Sequence, residues 1–368
     1  MIAGGGTGGH LFPGIAVAEA ARRRDPQAAI LFVGSERGLE ARILPDTGFA
    51  FETLPIAPLR GRGARERLSA LGGLAASVQR ARALVHRFAP DAVIGLGGYA
   101  SAPAVVAGRL AGTAVVLLEQ NARPGLTTRL LARLADRVCV SFAESVACFA
   151  PGKAVVTGNP VRWSDSVATS RVPPTVGPAA STAAGPGITI LLFGGSAGAR
   201  TLNQAGPALA LALADVPGLR IVHQTGAAAE TEVRAAYAAV GRAADVRPFI
   251  HDMRTAYAAA DLVVCRAGAT TIAELAALGR PAILVPYPYA ADDHQRANAE
   301  SLVRAGAARM VLDAEASGAR LAAEVRTLLA PEVRAAMADR IRGLARPDAA
   351  ERVLDTVDEL VRKAGAVP

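Results

Sequence analysis

The chain has 368 residues, 51% of them hydrophobic, and 40 Lys and Arg stand against 32 Asp and Glu for a formal charge of +8. This is too apolar for a disordered chain and long enough for two domains. Three cysteines without paired spacing (Cys139, Cys148, Cys265) argue against a disulfide scaffold or zinc site and for a reducing compartment.

The chain opens on Met1-Ile2-Ala3, so either the first strand is very short or the true start lies a few residues upstream, and no signal peptide is expected. Gly4-Gly5-Gly6-Thr7-Gly8-Gly9-His10 follows, ahead of a helical run Phe12–Arg24 with Pro13 near its start. Glycines let the backbone approach a ligand closely, and the next helix aims its positive end there. Gly4, Gly6 and Gly9 also satisfy the dinucleotide pattern G-x-G-x-x-G, so a nicotinamide enzyme is one reading, with Glu36 as its ribose ligand. Strands are predicted at 29–33, 92–95, 114–118 and 137–140, alternating with helices as in a parallel sheet. The second of them runs into another glycine turn, Gly95-Leu96-Gly97-Gly98-Tyr99.

Between Arg60 and Arg87 lie seven arginines (Arg60, Arg62, Arg65, Arg67, Arg80, Arg82, Arg87) against one acid, Glu66, with Leu68, Leu71, Leu74 and Val78 as an apolar stripe. A basic helix with an apolar face reads as an anchor to anionic lipid, or as a solvated face packing its leucines inward. No apolar run reaches the roughly 20 residues a bilayer span needs.

The stretch Val167–Gly187, rich in Ala, Ser, Thr, Pro and Gly, reads as a linker. The division is therefore a first domain at 1–160, a linker at 161–187, a second domain at 188–345 and a terminal helix within 346–368, where Val353, Val357 and Leu360 keep helical spacing. Strands of the second domain are predicted at 188–193, 219–224, 262–265 and 282–285. A third glycine turn, Gly194–Gly198, holds Ser196, which can cap the next helix or bond a phosphate oxygen. After the strand ending at Cys265, a helix from about Thr270 carries Glu274 one turn on, placed to accept bonds from a ribose diol. Asp292-Asp293-His294-Gln295 and the residues to Asn298 form a polar run suited to sugar hydroxyls. No Asp-x-Asp pair occurs, so no metal ligands for a leaving diphosphate are visible.

GGGTGGH (4–10), GLGGYASAP (95–103), EQNARPG (119–125), GNPVR (158–162), FGGSAGAR (193–200), RPFIHDM (247–253), CRAGATTIAE (265–274) and DDHQRANA from Asp292 come in the order seen in the MurG family, which this chain resembles over nearly its whole length. The resemblance implies an α/β GT-B fold, two Rossmann-like domains whose parallel sheets face a cleft. It implies an inverting, metal-independent and cofactor-free transfer of N-acetylglucosamine from UDP-GlcNAc, a substrate, to undecaprenyl-pyrophosphoryl-N-acetylmuramyl-pentapeptide in peptidoglycan synthesis. The implied partners are those two substrates and an anionic membrane surface, with no nucleic acid, and the implied location is the cytoplasmic face of the bacterial inner membrane. Donor contacts carry over to Thr7, Gly8, Gly9, Asn121, Arg162, Ser196, Ile250, Ala269, Thr270, Thr271, Ile272, Ala273, Glu274 and Gln295. His10, the candidate general base, lies on the acceptor side with Gly97, Gly98 and Tyr99. Ala267, Ala102 and His294 depart from frequent family residues. Another GT-B transferase or a non-catalytic sugar-nucleotide binder would share the donor turns.

Overall fold

The computed structural model describes residues 1–36, 38–56, 64–162 and 187–365. The chain divides into two compact units, Met1–Ser164 with Arg346–Pro368, and Asp165–Ala345. The predicted linker falls almost wholly outside the described residues.

In the first unit, seven strands form one parallel sheet: β1 (Ile2–Ala3), β2 (Leu31–Ser35), β3 (Ala50–Leu54), β4 (Ala92–Gly95), β5 (Ala114–Glu119), β6 (Arg137–Val140) and β7 (Ala154–Val156). Their order is β3-β2-β1-β4-β5-β6-β7. The first strand is as short as expected, yet it sits at the centre, pairing Ile2 with Phe32 and Ile94. Alternation along it divides the core. Ala3 joins Val33, Val93 and Leu117 under helices α3 (Ala64–Phe88), α4 (Ala102–Leu110) and α5 (Leu126–Leu131), after the short α2 (Glu40–Ile43). Ile2 faces the other way with Phe32, Ile94 and Val116, under α1 (Gly8–Arg24). That helix begins four residues before the predicted Phe12, so Pro13 lies inside it rather than in its first turn.

The second unit has the same design. Strands β8 (Thr189–Phe193), β9 (Arg220–Gln224), β10 (Asp245–Arg247), β11 (Leu262–Cys265), β12 (Ala282–Leu284) and β13 (Arg309–Met310) are parallel in the order β10-β9-β8-β11-β12-β13. The helices are α6 (Arg200–Ala212), α7 (Glu230–Ala239), α8 (Met253–Ala259), α9 (Ala269–Leu278), α10 (His294–Arg304), α11 (Gly318–Thr327) and α12 (Pro331–Gly343).

The last helix, α13 (Ala349–Gly365), returns to the first unit. It buries Ala350, Val353 and Leu354 in the core beside Ile15 and Phe32 of α1 and β2. At its outer edge Arg24 of α1 holds Asp355 at 2.7 Å and Asp358 at 3.0 Å, and pairs with Glu351. Those exposed ion pairs contribute little beside the apolar face. Val353→Ala is expected to cost about 2 kcal/mol. Hydrogen exchange is the check: amides of β1, β2 and β4 lose protection while those of β8 and β11 keep theirs.

Candidate active site

In each parallel sheet the strand order reverses once, between β1 and β4 and between β8 and β11. Loops at the carboxyl ends of such neighbouring strands lead away in opposite directions and open a crevice. Every glycine turn singled out from the sequence lies at one of these two places.

In the first unit, Gly4, Gly5 and Gly6 all have positive φ, and α1 starts at Gly8 with Thr7 as N-cap and no side-chain cap bond. Thr7 Oγ1 lies 3.0 Å from His10 Nδ1. The His10 ring lies against Gly97 and Gly98, where a Cβ would stand 3.2 Å from Cδ2 and 3.8 Å from Cε1 respectively. The first turn, the second turn and His10 are thus one constellation, with half-buried Tyr99 beside it. From β5, Glu119 turns back to accept the Asn121 N–H (3.0 Å), the Asn121 side-chain amide (3.2 Å) and the Gly125 N–H (3.1 Å). Burial pushes this carboxyl up, against those hydrogen bonds. Arg162 lies with its guanidinium 5.7 Å from the centre of the Phe12 ring.

One residue here carried no signal in the sequence. Glu40 is fully buried, and its carboxylate accepts the Gly6 N–H (2.6 Å), the Ser35 N–H (2.8 Å) and the Ser35 hydroxyl (2.8 Å). A Cβ on Gly5, Gly34 or Gly38 would collide with it. The Gly6 amide that a dinucleotide pyrophosphate would take therefore already serves an internal anion, and Glu36 stands exposed past the end of β2. The nicotinamide reading loses its pyrophosphate amide, while Glu36 keeps the position a ribose ligand would need.

In the second unit, the turn Gly194–Gly198 is wedged against Thr225 and Gly226. A Cβ on Gly198 would collide with the Thr225 carbonyl, and one on Gly226 with that of Ala197. Ser196 does not cap the following helix, whose N-cap is Ala199 without a side-chain bond, so its exposed hydroxyl is left to the other expected role. Helix α9 also begins without a side-chain cap, at Gly268. Its first turn carries Ala269, Thr270, Thr271 and Ile272, the last buried with its N–H donated to the Gly268 carbonyl, and Ala273 opens the second turn. An uncapped helix start is an anion site by charge and by hydrogen bonding.

Glu274 lies partly buried on that helix and accepts the Tyr257 hydroxyl at 2.9 Å, and burial pushes its carboxyl up to about 7. Gln295 Oε1 accepts the Ala267 N–H (3.2 Å) and the Tyr287 N–H (3.0 Å), so its carbonyl joins two loops. Beneath, Arg266 pairs with Asp313 and donates to the Val285 carbonyl at 3.1 Å, and Asp313 accepts Thr201 Oγ1 at 3.0 Å. Ile250 is buried and its N–H goes to Gln224. His223 is buried between Tyr237 and Asn203, and burial pushes it down to about 4. Among the described residues no cluster of three or more His, Cys, Asp or Glu stands ready to hold a metal ion.

Residues 1–140 match the sequence model of the glycosyltransferase family 28 N-terminal domain, and residues 189–353 that of its C-terminal domain. A protein of Magnetococcus marinus named UDP-N-acetylglucosamine--N-acetylmuramyl-(pentapeptide) pyrophosphoryl-undecaprenol N-acetylglucosamine transferase is 47% identical, over 98% of this chain and 97% of its own. One of the same name from Trichlorobacter lovleyi is 44% identical over 98% of both. The chain belongs to glycosyltransferase family 28, in its MurG branch. Acinetobacter baumannii MurG, a solved structure of that branch, is 32% identical and superposes over 98% of both chains with a TM-score of 0.77. The GT-B architecture expected from the family is thereby shown, and the chain is a glycosyltransferase.

Glu40→Ala is expected to leave up to three donors, the Gly6 N–H of the first turn and the N–H and hydroxyl of Ser35, without an acceptor and to lower stability by about 3 kcal/mol or more, read from urea unfolding. Glu40→Gln, which keeps one acceptor oxygen, loses less.

Proposed function

We propose that the chain transfers N-acetylglucosamine from UDP-N-acetylglucosamine to the 4-hydroxyl of the muramyl sugar in undecaprenyl-pyrophosphoryl-N-acetylmuramyl-pentapeptide, inverting the anomeric carbon without a metal. The observation that carries this reading is full-length similarity to proteins named for that transfer. The second unit takes the donor. Ser196 and the uncapped start of α9 receive the diphosphate, where negative charge grows as UDP leaves. Glu274 takes the ribose hydroxyls and the Gln295 NH2 the sugar. Thr7, Gly8, Gly9, Asn121 and Arg162 complete the donor contacts from the first unit.

The acceptor 4-hydroxyl attacks the anomeric carbon, the bond from that carbon to the diphosphate oxygen breaks, and the hydroxyl proton passes to His10. In the tautomer whose Nδ1–H donates to Thr7 Oγ1 the basic lone pair is on Nε2, and this is the form that can take the proton. Gly97 and Gly98 lie against this ring, and a Cβ on Gly97 would press it at 3.2 Å. Labelled N-acetylglucosamine with a lipid-linked muramyl-pentapeptide analogue tests the reaction: product is expected from that pair, and product from UDP-glucose instead would overturn the donor assignment. In the same assay His10→Ala is expected to lower kcat by about 100-fold or more and leave donor KM within about threefold.

A carboxyl with a pKa of about 7 accepts ribose hydroxyls best when ionised. Uridine affinity is therefore expected to fall as pH drops from 8 to 6, and Glu274→Gln to bind about tenfold more weakly at pH 8 with a flat profile. Titration calorimetry across that range is the check. The sign for stability is opposite. A carboxyl raised from 4.5 to about 7 on folding contributes stability below pH 4.5, and that contribution is lost as pH rises through 7.

The acceptor is a lipid, and we place the protein at the cytoplasmic face of the inner membrane, on its surface. Among the described residues no helix is long and apolar enough to cross a bilayer. Arg60 and Arg62 of the expected anchor, and the side chains of Arg65, Arg67, Leu68, Leu71 and Leu74, lie outside the described residues. A second stripe is described: Leu126, Leu130 and Leu134 are 51%, 54% and 36% exposed at helical spacing, with Arg129 and Arg133 exposed between them. Apolar side chains edged by arginine suit an anionic bilayer surface. Leu130→Glu is expected to reduce flotation with anionic liposomes. Binding that ignores lipid charge and salt would remove the membrane assignment.

A further inference from the structure

Gln224, the last residue of β9, is buried, and its side-chain amide makes two bonds of opposite sense. Nε2 donates to the Gly195 carbonyl at 2.9 Å, and Oε1 accepts the Ile250 N–H at 2.8 Å. Gly195 lies in the turn after β8 and Ile250 in the loop after β10, and those strands flank β9 in the sheet. One amide on the middle strand therefore ties the loops of both neighbours.

The carbonyl and the N–H of one trans peptide point in opposite directions. Holding the Gly195 carbonyl against Gln224 turns the Ser196 N–H away from it. Holding the Ile250 N–H turns the Phe249 carbonyl away in the same manner. Gly195, at φ +95°, has no side chain to hold its peptide plane, and a Cβ there would meet nothing within 4 Å. Within the turn the Gly198 N–H donates to the same carbonyl at 3.0 Å, and the Gln224 amide adds the bond from outside it.

We propose that Gln224 is a positioning residue of the donor site. Its amide sets the Ser196 N–H for the diphosphate and the Phe249 carbonyl for the base, and holds the two loops at one spacing. This rests on the reading of the second unit as the UDP site, and it adds a residue that touches neither half of the nucleotide. An amide is required because one end must donate and the other accept. An ionised Glu keeps the acceptor and loses the donor, and a Met keeps the length and loses both.

Uridine and UDP are titrated against the full-length protein, its Gln224→Glu variant and its Gln224→Met variant. Gln224→Glu is expected to weaken UDP by about tenfold or more and uridine by less than about threefold, because only the bond to the phosphate turn is lost. Gln224→Met is expected to weaken both ligands by about tenfold, with donor KM raised and acceptor KM unchanged. Where a buried charge unfolds the Glu variant, seen as loss of the melting transition, the Met variant decides. Equal losses of uridine and UDP in the Glu variant, or wild-type affinities in the Met variant, overturn the proposal. A wild-type protein that binds no UDP overturns the donor-site reading instead.

Discussion

A parallel sheet must be covered on both faces, so its crossover helices lie first on one side and then on the other, and the strand order has to reverse. Both units obey this once, at β1/β4 and at β8/β11. At a reversal the two loops part and leave backbone amides without strand partners. The glycines, the helix starts and the polar side chains of both sites are responses to that one opening.

The two units respond differently. The first supplies an anion of its own: Glu40 binds the Gly6 amide from inside, and the turn is left to carry His10 against Gly97 and Gly98. The second leaves the start of α9 uncapped and invests its polar groups in the surrounding loops. Gln295 joins two of them, Arg266 and Asp313 brace another from beneath, and Tyr257 holds Glu274. A site for a diphosphate leaving group, whose negative charge grows as it departs, needs donors fixed in advance, since reorienting them during the reaction would return the stabilisation they provide.

The interior of each sheet was legible in the sequence and its margins were not. The predicted strands correspond to β2, β4, β5 and β6 and to β8, β9, β11 and β12, and the short β1 was foreseen. The four that were missed, β3, β7, β10 and β13, are the outermost strands of the two sheets. Edge strands are covered less and need no continuous apolar run, as Ala50–Leu54 and Asp245–Arg247 illustrate. Among site residues, glycine turns announce themselves because few other residues tolerate their backbone angles. Glu40 and Gln224 stayed hidden, because a side chain that bonds to a distant backbone leaves no local pattern, and so did Tyr257, whose hydroxyl reaches Glu274 on another helix. For Glu40 a trace existed in Gly5, Gly34 and Gly38, three glycines spread along the chain whose common neighbour only the fold reveals.

The return of α13 to the first unit makes the second unit an insertion in chain order. Synthesis on the ribosome runs from the N-terminus, and domains ordinarily complete themselves as they emerge. Here the nascent first unit has its sheet and α1 early, but one side of its core lacks Ala350, Val353 and Leu354 until the last helix is made. The second unit has all its residues before then. The half that begins first is finished last, and through most of translation Ile15 and Phe32 wait for the partners that will cover them.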